Sequence, residues 1–515
     1  MRSTFSSASL ILLVLGCGEP EPPAPQQPRS EAQKLLAEAG FPGGKGFPKL
    51  RLLYNTSEHH KKIAAAVQEM WRRQLGVEVE LENLEWKVYL ERMKRGEFDI
   101  ARAAWIGEYL DPLAFLELFR RDAGSNRTGW SSDAYEKLID ESHGSKDRYA
   151  TLARAERILL DEVPIAPISH YVAHNWIKPF VKGVHANARD LHALQGVTVE
   201  GRESLSFFAG EEPGSLDPAL SHDIGGLKIL MHLFEGLCAY DPKDASPVPA
   251  AAERWDVSED GRTVTFHLRP AQWSNGDPLT AHDFVYAWRR VVDPKTASSY
   301  AHRMFGVKGA RAVALQGTAP ETLGVRAADD RTFVVELDHA APWFPMLVCL
   351  NIFMPVHRAT VEKHGEKWTR PENMVHNGPY RMTSWETLKR KTFEKNPRYR
   401  DAANVKLARF VFVTVGPDSS VAQRMYDAGQ VDWTWVMPTE FMDELRKTPD
   451  YLGGPYNGVY YYAFNTRRKP LDDVRVRRAL SLAINREHIV KNILRGGETA
   501  AVRLTPPLYP GYEVK

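Results

Sequence analysis

The chain has little of what marks redox, zinc-binding or nucleic-acid-binding proteins. It holds three cysteines in 515 residues, and none belongs to a CxxC pair, which argues against thiol redox chemistry and a zinc knuckle. Sixty-seven basic residues face 65 acidic ones, so no overall basic excess points to nucleic acid. Cys238 and Cys349 lie outside the leader, and we expect two buried free thiols, with a pairing left open. The length indicates two or three domains.

The first 30 residues have the pattern of an exported, tethered protein. The apolar run Ala8–Leu15 is too short to span a bilayer as a helix, but it fits a secretory signal. It ends in LVLGC, which resembles a bacterial lipobox with Cys17 as the lipidated residue. The alternative is a plain signal peptide with a chance cysteine. Residues 18–30 are proline-rich and predict a semi-rigid tether.

The stretch from residue 50 to residue 105 alternates between strand and helix patterns. The predicted order is a strand at 50–56, a helix at 57–75, a strand at 77–81, a helix with Trp86, Tyr89, Leu90 and Met93 on its apolar face, and a strand at 98–105. This order predicts parallel strands. Open parallel sheets bind ligands beyond the carboxyl ends of their strands. Glu108 lies just past such an end, so it is the first candidate for touching a ligand.

The remaining patterns predict a mixture of helices and strands. Helices are expected at Glu31–Gly44, Asp133–His143, Tyr149–Leu160, Ala281–Val292 and Val474–Leu494, a long extended segment at Pro164–Ile177, and a strand pair from NGPYRMTSW and KRKTFEKN.

Several motifs occur together and resemble one known family. They are GSLDP (214–218), LFEGL (233–237), WSNGDPLTAHDFVYAWRR (273–290), NGPY (377–380), FNTRRKPLDDVRVRRALSLAINRE (464–487) and LLYNTSEHHKK (52–62). This set resembles the oligopeptide-binding lipoproteins that serve ABC permeases. The resemblance covers nearly all of residues 31–515. It implies an α/β, two-lobed periplasmic-binding-protein-like fold with a hinge and an accessory domain, without catalytic residues, metal or cofactor.

The order of the segments differs from that of the family. Residues 31–197 resemble the family's carboxyl-terminal third and precede residues 198–515, which resemble its amino-terminal two thirds, so the chain resembles a circular permutant. The alternative is a junction of two truncated tandem genes. The resemblance divides the chain as follows: a signal peptide at 1–17, a tether at 18–30, a ligand-binding lobe at 31–176 completed by 457–515, a second lobe from 177–232 and 356–456, and an accessory domain at 233–355.

The stretch FDIARAAWIGEYLDP (98–112) also resembles this family, and the resemblance implies that it meets the two ends of the ligand. Glu108 aligns with the acid that receives the ligand's ammonium, and the alternative is a pair with an internal arginine. Trp105 and Tyr109 flank it, lining the cleft or packing in the core. Arg102 aligns with a family arginine near the ligand's other end, and the alternative is a salt bridge with Asp99.

Two further segments are implied in binding. Asp223 and Ile224 correspond to an edge that pairs with the ligand backbone, because strand addition gives affinity without reading side chains. Tyr461 lies at a lobe crossing, where it lines the cleft or fills the hinge.

The function implied is capture of oligopeptides by a monomeric, lipid-anchored protein at the periplasm or cell surface, with delivery to an ABC permease. The same fold binding a nickel chelate, haem or oligosaccharide is one alternative. A secreted hydrolase is another, although the sequence contains no GxSxG or HExxH motif.

Overall fold

The computed structural model describes residues 27–515 except residues 122, 211, 222 and 417. The signal peptide and Cys17 lie outside this part of the chain, as does most of the tether. Among the described residues, no helix combines the length and apolarity needed to cross a membrane.

Strands and helices alternate along the chain. The strands are β1 (Leu50–Asn55), β2 (Val79–Leu84), β3 (Ile100–Ile106), β4 (Ile165–Ile177), β5 (Val181–Lys182), β6 (Thr198–Val199), β7 (Ser204–Phe208), β8 (Cys238–Tyr240), β9 (Pro247–Pro249), β10 (Ala252–Val257), β11 (Thr263–Leu268), β12 (Val325–Asp329), β13 (Thr332–Glu336), β14 (Tyr380–Glu386), β15 (Arg390–Lys395), β16 (Arg409–Val413), β17 (Trp433–Thr434), β18 (Tyr451–Phe464) and β19 (Thr499–Ala500). The α-helices are α1 (Gln27–Glu38), α2 (Glu58–Leu75), α3 (Trp86–Arg95), α4 (Leu113–Leu116), α5 (Asp133–Ser142), α6 (Arg148–Glu162), α7 (Ile224–Leu233), α8 (Ala281–Val292), α9 (Ala310–Gln316), α10 (Phe344–Leu347), α11 (Arg358–His364), α12 (Ser419–Asp427), α13 (Met442–Leu445), α14 (Val474–Leu482) and α15 (Arg486–His488).

One large sheet runs through the molecule. Within the described residues its strand order is β14-β15-β16-β7-β17-β4-β18-β3-β1-β2, with β19 added on β4. The two longest strands, β4 and β18, pair antiparallel at its centre and join the two halves of the sheet. A separate antiparallel sheet has the order β10-β11-β13-β12, and α8 packs on β12 and β13.

The alternating strands and helices of residues 50–106 form as the sequence predicts. β1 pairs in parallel with both β2 and β3. α2 buries the expected face, including Val67, Trp71 and Leu75, and ends at Gly76. That glycine has a φ of 68°, a left-handed conformation that glycine adopts without strain. Glu108 lies two residues past the carboxyl end of β3, as the sequence predicts.

Two predicted elements differ from the structure. The apolar face of α3 is only partly buried: Tyr89 and Met93 are covered, whereas Trp86 is 49% and Leu90 44% exposed. The single long helix predicted at 474–494 is wrong. α14 ends at Leu482, Asn485 caps α15, and a π-helical turn follows at Ile489–Leu494. Asn485 breaks the helix because its side chain accepts a hydrogen bond from the backbone N–H of His488.

The last residues of the chain dock on an early helix. Glu156 of α6 is fully buried and accepts hydrogen bonds from the backbone N–H and hydroxyl of Thr505, at 2.9 and 2.7 Å. The hydroxyl of Tyr512 donates to the same carboxylate at 2.6 Å. At the other end, α1 packs against α14. Hydrophobic residues from 32–100, 163–168 and 460–494 thus share one core.

Candidate functional site

The loop that follows β3 is held in place by distant side chains. Asn457 donates to the carbonyl oxygens of Gly107 and Tyr109, both at 3.1 Å. Arg189 also donates to the Gly107 carbonyl. Arg189 is 5% exposed and Asn457 fully buried. Glu108 therefore projects from a backbone that is fixed on both sides.

A buried ion pair closes the far end of the same loop. Both oxygens of Asp111 accept hydrogen bonds from the Arg148 guanidinium, at 2.6 and 2.7 Å. That guanidinium also lies over the ring of Trp343, 4.1 Å from its centroid. The charge of Asp111 is neutralised by this partner, so it is not available to a ligand.

Glu108 is engaged by an internal arginine, the alternative that the sequence left open. Its Oε1 accepts a hydrogen bond from Arg303, which lies in the 3-10 turn Ala301–Met304, at 2.5 Å. The two side chains are 12% and 6% exposed, so the pair is almost entirely removed from water. Oε2 of Glu108 has no hydrogen-bond partner among the described residues. One carboxylate oxygen is therefore hydrogen-bonded to Arg303, and the other has no partner among the described residues. The ligand role of Glu108 stays a prediction.

The aromatic neighbours of Glu108 have different surroundings. Trp105 is partly buried, donates its indole N–H to the Ala114 carbonyl at 3.0 Å, and lies under the Arg303 guanidinium at 5.3 Å. Tyr109 is 2% exposed and packs in the hydrophobic core, and a contact with a ligand stays a prediction. Burial, together with the charges of Glu117 and Asp111, raises the pKa of Tyr109 well above its usual value.

Arg102 lies on β3 and has no acidic partner within salt-bridge distance among the described residues. Its guanidinium donates to the Tyr171 hydroxyl at 3.1 Å, while Nε has no partner. The salt bridge with Asp99 that the sequence offered as an alternative does not form. Asp99 instead accepts from Arg468 at 2.8 Å.

The surroundings of Arg102 are aromatic and uncharged. The guanidinium lies 4.9 Å from the ring centroid of Tyr460. Burial opposes its charge, but Tyr171, Tyr460 and Tyr89 outweigh this and raise its pKa. Burial, and then the charges of Arg102 and His59, lower the pKa of His60 to about 3. His60 is therefore neutral at pH 7, and the positive charge of this region comes from Arg102, which has no acidic partner among the described residues.

A cavity of about 290 Å³ lies beside this region. It is lined by β4, β18 and residues 497–508, with Tyr171, Tyr451 and Tyr456 on its walls. Its volume is near the lower end of the range for ligand pockets. Tyr171 connects the cavity to Arg102, because its hydroxyl accepts the hydrogen bond from that guanidinium.

The predicted strand edge at Asp223 and Ile224 is a helix start. Asp223 caps α7, and its carboxylate accepts from the backbone N–H groups of Gly226 and Gly214 at 2.6 and 3.0 Å. Ile224 is the first helical residue and is 48% exposed. Asp223 has an extended backbone, with a φ of −111° and a ψ of 155°, but Ile224 is helical, so the edge does not continue as a strand. Any contact of Asp223 and Ile224 with a ligand stays a prediction.

Tyr461 lies in β18, next to β3. It is 8% exposed, and its ring lies 6.2 Å from that of Phe119. Its neighbours Tyr460 and Tyr462 point to the opposite face of the sheet, as strand alternation requires. Tyr461 is therefore packed within the sheet, where β18 lies between β3 and β4.

Sequence reasoning missed the partners that come from far along the chain. They are Arg303, Arg189, Asn457, Arg148 and Tyr171. No local pattern indicates them, because their separations from their partners range from 37 to 350 residues. In the described part of the chain, no three His, Cys, Asp or Glu side chains are grouped as metal ligands are.

A model of bacterial extracellular solute-binding proteins, family 5, matches residues 15–127 and 246–515. The Salmonella typhimurium periplasmic oligopeptide-binding protein OppA is 38% identical over 332 residues, 63% of this chain and 60% of the relative. The Bacillus subtilis OppA is 36% identical over 61% of this chain and 58% of its own length. A probable deoxycholate-binding periplasmic protein of Escherichia coli, YgiS, is 37% identical over 65% of this chain and 63% of its own. The chain thus matches about three fifths of the length of these relatives.

Solved structures show the same relationship. The Escherichia coli murein tripeptide-binding protein MppA matches with a TM-score of 0.55 and 36% identity, over 60% of this chain and 61% of MppA. Haemophilus influenzae OppA in complex with RPPGFSPFR matches with a TM-score of 0.52 and 31% identity, over 60% of this chain and 61% of that one. The α/β, two-lobed fold expected from the sequence agrees with these structures.

Proposed function

Because the chain belongs to family 5 of the bacterial extracellular solute-binding proteins, we propose that it captures short oligopeptides in a cleft and delivers them to an ABC permease. The relatives named as oligopeptide-binding proteins support this ligand class. One relative at similar identity is named for deoxycholate, so the ligand has to be argued from this chain's own site.

The observation that carries the proposal is a pair of charged groups that are incompletely neutralised, Arg102 on β3 and Glu108 in the loop after it. Arg102 has no carboxylate partner among the described residues, and Glu108 has one oxygen without a partner. Their Cα atoms are six residues apart, hence at most about 21 Å, the length of about six extended residues. An extended peptide offers a carboxylate to Arg102 and an ammonium to Glu108. We place its carboxyl-terminal side chains in the cavity beside Tyr171.

Desolvation explains why both charges are needed. A cleft that closes over a charged terminus without a counter-charge would bury an unpaired ion, which costs several kcal/mol. A nickel chelate, haem or oligosaccharide lacks the opposite charges at this spacing. None of the site residues named above belongs to a GxSxG or HExxH motif, which favours binding over hydrolysis.

The test is calorimetric titration of tripeptides to hexapeptides with free, acetylated and amidated ends. In the wild type we expect amidation and acetylation each to weaken binding at least about tenfold, or about 1.4 kcal/mol. Amidation should have little further effect in Arg102→Gln, and acetylation little further effect in Glu108→Gln. Arg95→Gln is the matched control, because this arginine on α3 is 65% exposed.

Two outcomes count against the proposal. If free and blocked peptides bind the wild type equally, the termini are not recognised and another ligand class is indicated. If no peptide of this set binds a protein that melts cooperatively, the peptide reading is wrong. A raised melting temperature with a peptide, about 3 kcal/mol of stabilisation at a hundredfold excess over Kd, is the independent check.

We also propose the permuted segment order and its domain division. The match over three fifths of the relatives' length supports it, as does the docking of residues 505–512 on α6. An exposed connection can be opened without changing the packed core. Moving residues 31–197 behind residue 515 should therefore yield a cooperatively folding protein with the same ligand affinity; loss of folding would count against the permutation.

The anchor and the location are proposed from the leader alone. Lipidation at Cys17 would hold the protein at the periplasmic or outer cell surface, next to its permease. We propose that it acts there as a monomer. Cys17→Ser should release the protein from the membrane fraction into the soluble one, and continued membrane association of that variant would contradict the anchor.

A further inference from the structure

The charge around Glu108 is unbalanced in favour of the cations. Two guanidinium groups approach the 107–108 segment: Arg303 pairs with Glu108, and Arg189 donates to the Gly107 carbonyl. Arg303 is 9% and Arg189 5% exposed. Asp111 does not offset them, because it is neutralised by Arg148. One carboxylate thus faces two buried guanidiniums.

One further acid, Glu117, lies near Arg303 without forming a direct ion pair with it in the described residues. Burial raises the pKa of the Glu117 carboxyl, with Arg303 and Arg120 acting in the opposite direction. Glu117 forms no salt bridge with Arg303 or Arg189 in the described residues. Glu108 is therefore the one carboxylate within salt-bridge distance of either guanidinium in this part of the chain.

Three buried polar atoms of this cluster have no hydrogen-bond partner among the described residues. They are Oε2 of Glu108, Nε of Arg303 and Nε of Arg189. Buried polar groups are normally paired, and each exception needs an explanation. The three atoms consist of one acceptor and two donors on charged groups, and they belong to side chains that converge on the same loop.

We propose that this cluster recognises an amine with an acidic group next to it, as in peptides whose first residue is Asp or Glu. The inference rests on the proposed function. The ligand's ammonium donates to Oε2 of Glu108, and the acidic side chain accepts from the Arg303 and Arg189 guanidiniums. Arg303 is the specificity-determining residue, and Trp105 under its guanidinium fixes its position.

The electrostatic reason is the sign of the net charge that the ligand brings. An ammonium alone pairs with Oε2 of Glu108 but raises the excess of cations in the cluster from one to two. An ammonium accompanied by a carboxylate adds none, and it supplies partners to donors that otherwise stay unpaired. A basic first side chain adds two positive charges and is the least favourable case.

The test compares Glu-Ala-Ala, Gln-Ala-Ala and Lys-Ala-Ala in calorimetric titrations of the wild type. We expect Glu-Ala-Ala to bind at least about tenfold more tightly than Gln-Ala-Ala, and Lys-Ala-Ala most weakly. In Arg303→Gln the Glu-to-Gln ratio should fall toward one, while Arg303→Lys should retain part of it. Arg311→Gln, on α9, serves as the control outside the cluster.

The outcomes separate this inference from the proposed function. Equal binding of Glu-Ala-Ala and Gln-Ala-Ala to the wild type overturns the inference and leaves peptide capture intact. Binding of none of the three, nor of any other peptide, overturns the proposed function itself. Because the wild-type comparison uses no variant, it decides the question even if Arg303→Gln fails to fold.

Discussion

Removal of the Glu156 carboxylate should loosen the last segment of the chain from α6. This carboxylate is fully buried and accepts three hydrogen bonds, two from Thr505 and one from Tyr512. Glu156→Ala leaves these donors buried without their acceptor. Leaving a buried donor without its acceptor costs about 1–3 kcal/mol, and three donors lose theirs, so we expect a loss of about 4 kcal/mol in the free energy of unfolding.

A graded variant and a neighbouring control make the number interpretable. Glu156→Gln keeps the shape and one acceptor oxygen, so its loss should be about half as large. Asp161→Ala, on the same helix, removes exposed ion pairs with Arg157 and Arg478 and should cost about 1 kcal/mol or less.

The assay is urea unfolding of the three variants, combined with limited proteolysis of the carboxyl-terminal segment. The Glu156→Ala protein should unfold at lower urea and be cleaved faster near residues 505–512. If it loses no more stability than Asp161→Ala and its tail is cleaved no faster, the docking of the tail on α6 is wrong.

Three further predictions follow from particular buried groups. Burial lowers the pKa of His232 to about 3, so its contribution to stability is complete above the unfolded pKa near 6.5 and is lost as the pH falls below that value. At pH 5 the loss in the free energy of unfolding is about 2 kcal/mol, and His232→Phe should reduce the dependence of the urea midpoint on pH between pH 5 and 6.5. Cys238 and Cys349 are buried free thiols, so both should resist a thiol reagent in the native protein and react after denaturation, whereas reaction of neither thiol after denaturation would mean that they pair. Gly378→Ala would place a methyl group 2.5 Å from the backbone carbon of Leu233, so at least about 2 kcal/mol of stability should be lost, and an unchanged melting temperature would contradict this contact.

Local sequence patterns were sufficient for most elements of the fold. The helix at 281–292 has the predicted bounds, and α2 ends at the predicted glycine. The strand pair after NGPY also forms, as β14 and β15. These elements depend on side-chain periodicity and on capping or stop residues, which operate within a few positions of the chain. The long helix at 474–494 failed because a cap at Asn485 competes with an apolar pattern that continues through it.

The candidate site was only half determined by the sequence. The order of strands and helices placed Arg102 on β3 and Glu108 beyond its carboxyl end, and the family resemblance implied a ligand role for both. What each charge meets was decided by tertiary structure. Arg303 reaches Glu108 across 195 residues, while the nearby Asp99 goes to Arg468 and leaves Arg102 without a carboxylate. The sequence lists the charges, but their pairing depends on which chains the fold brings within a few ångströms, because a Coulomb interaction in a buried site is governed by distance and desolvation.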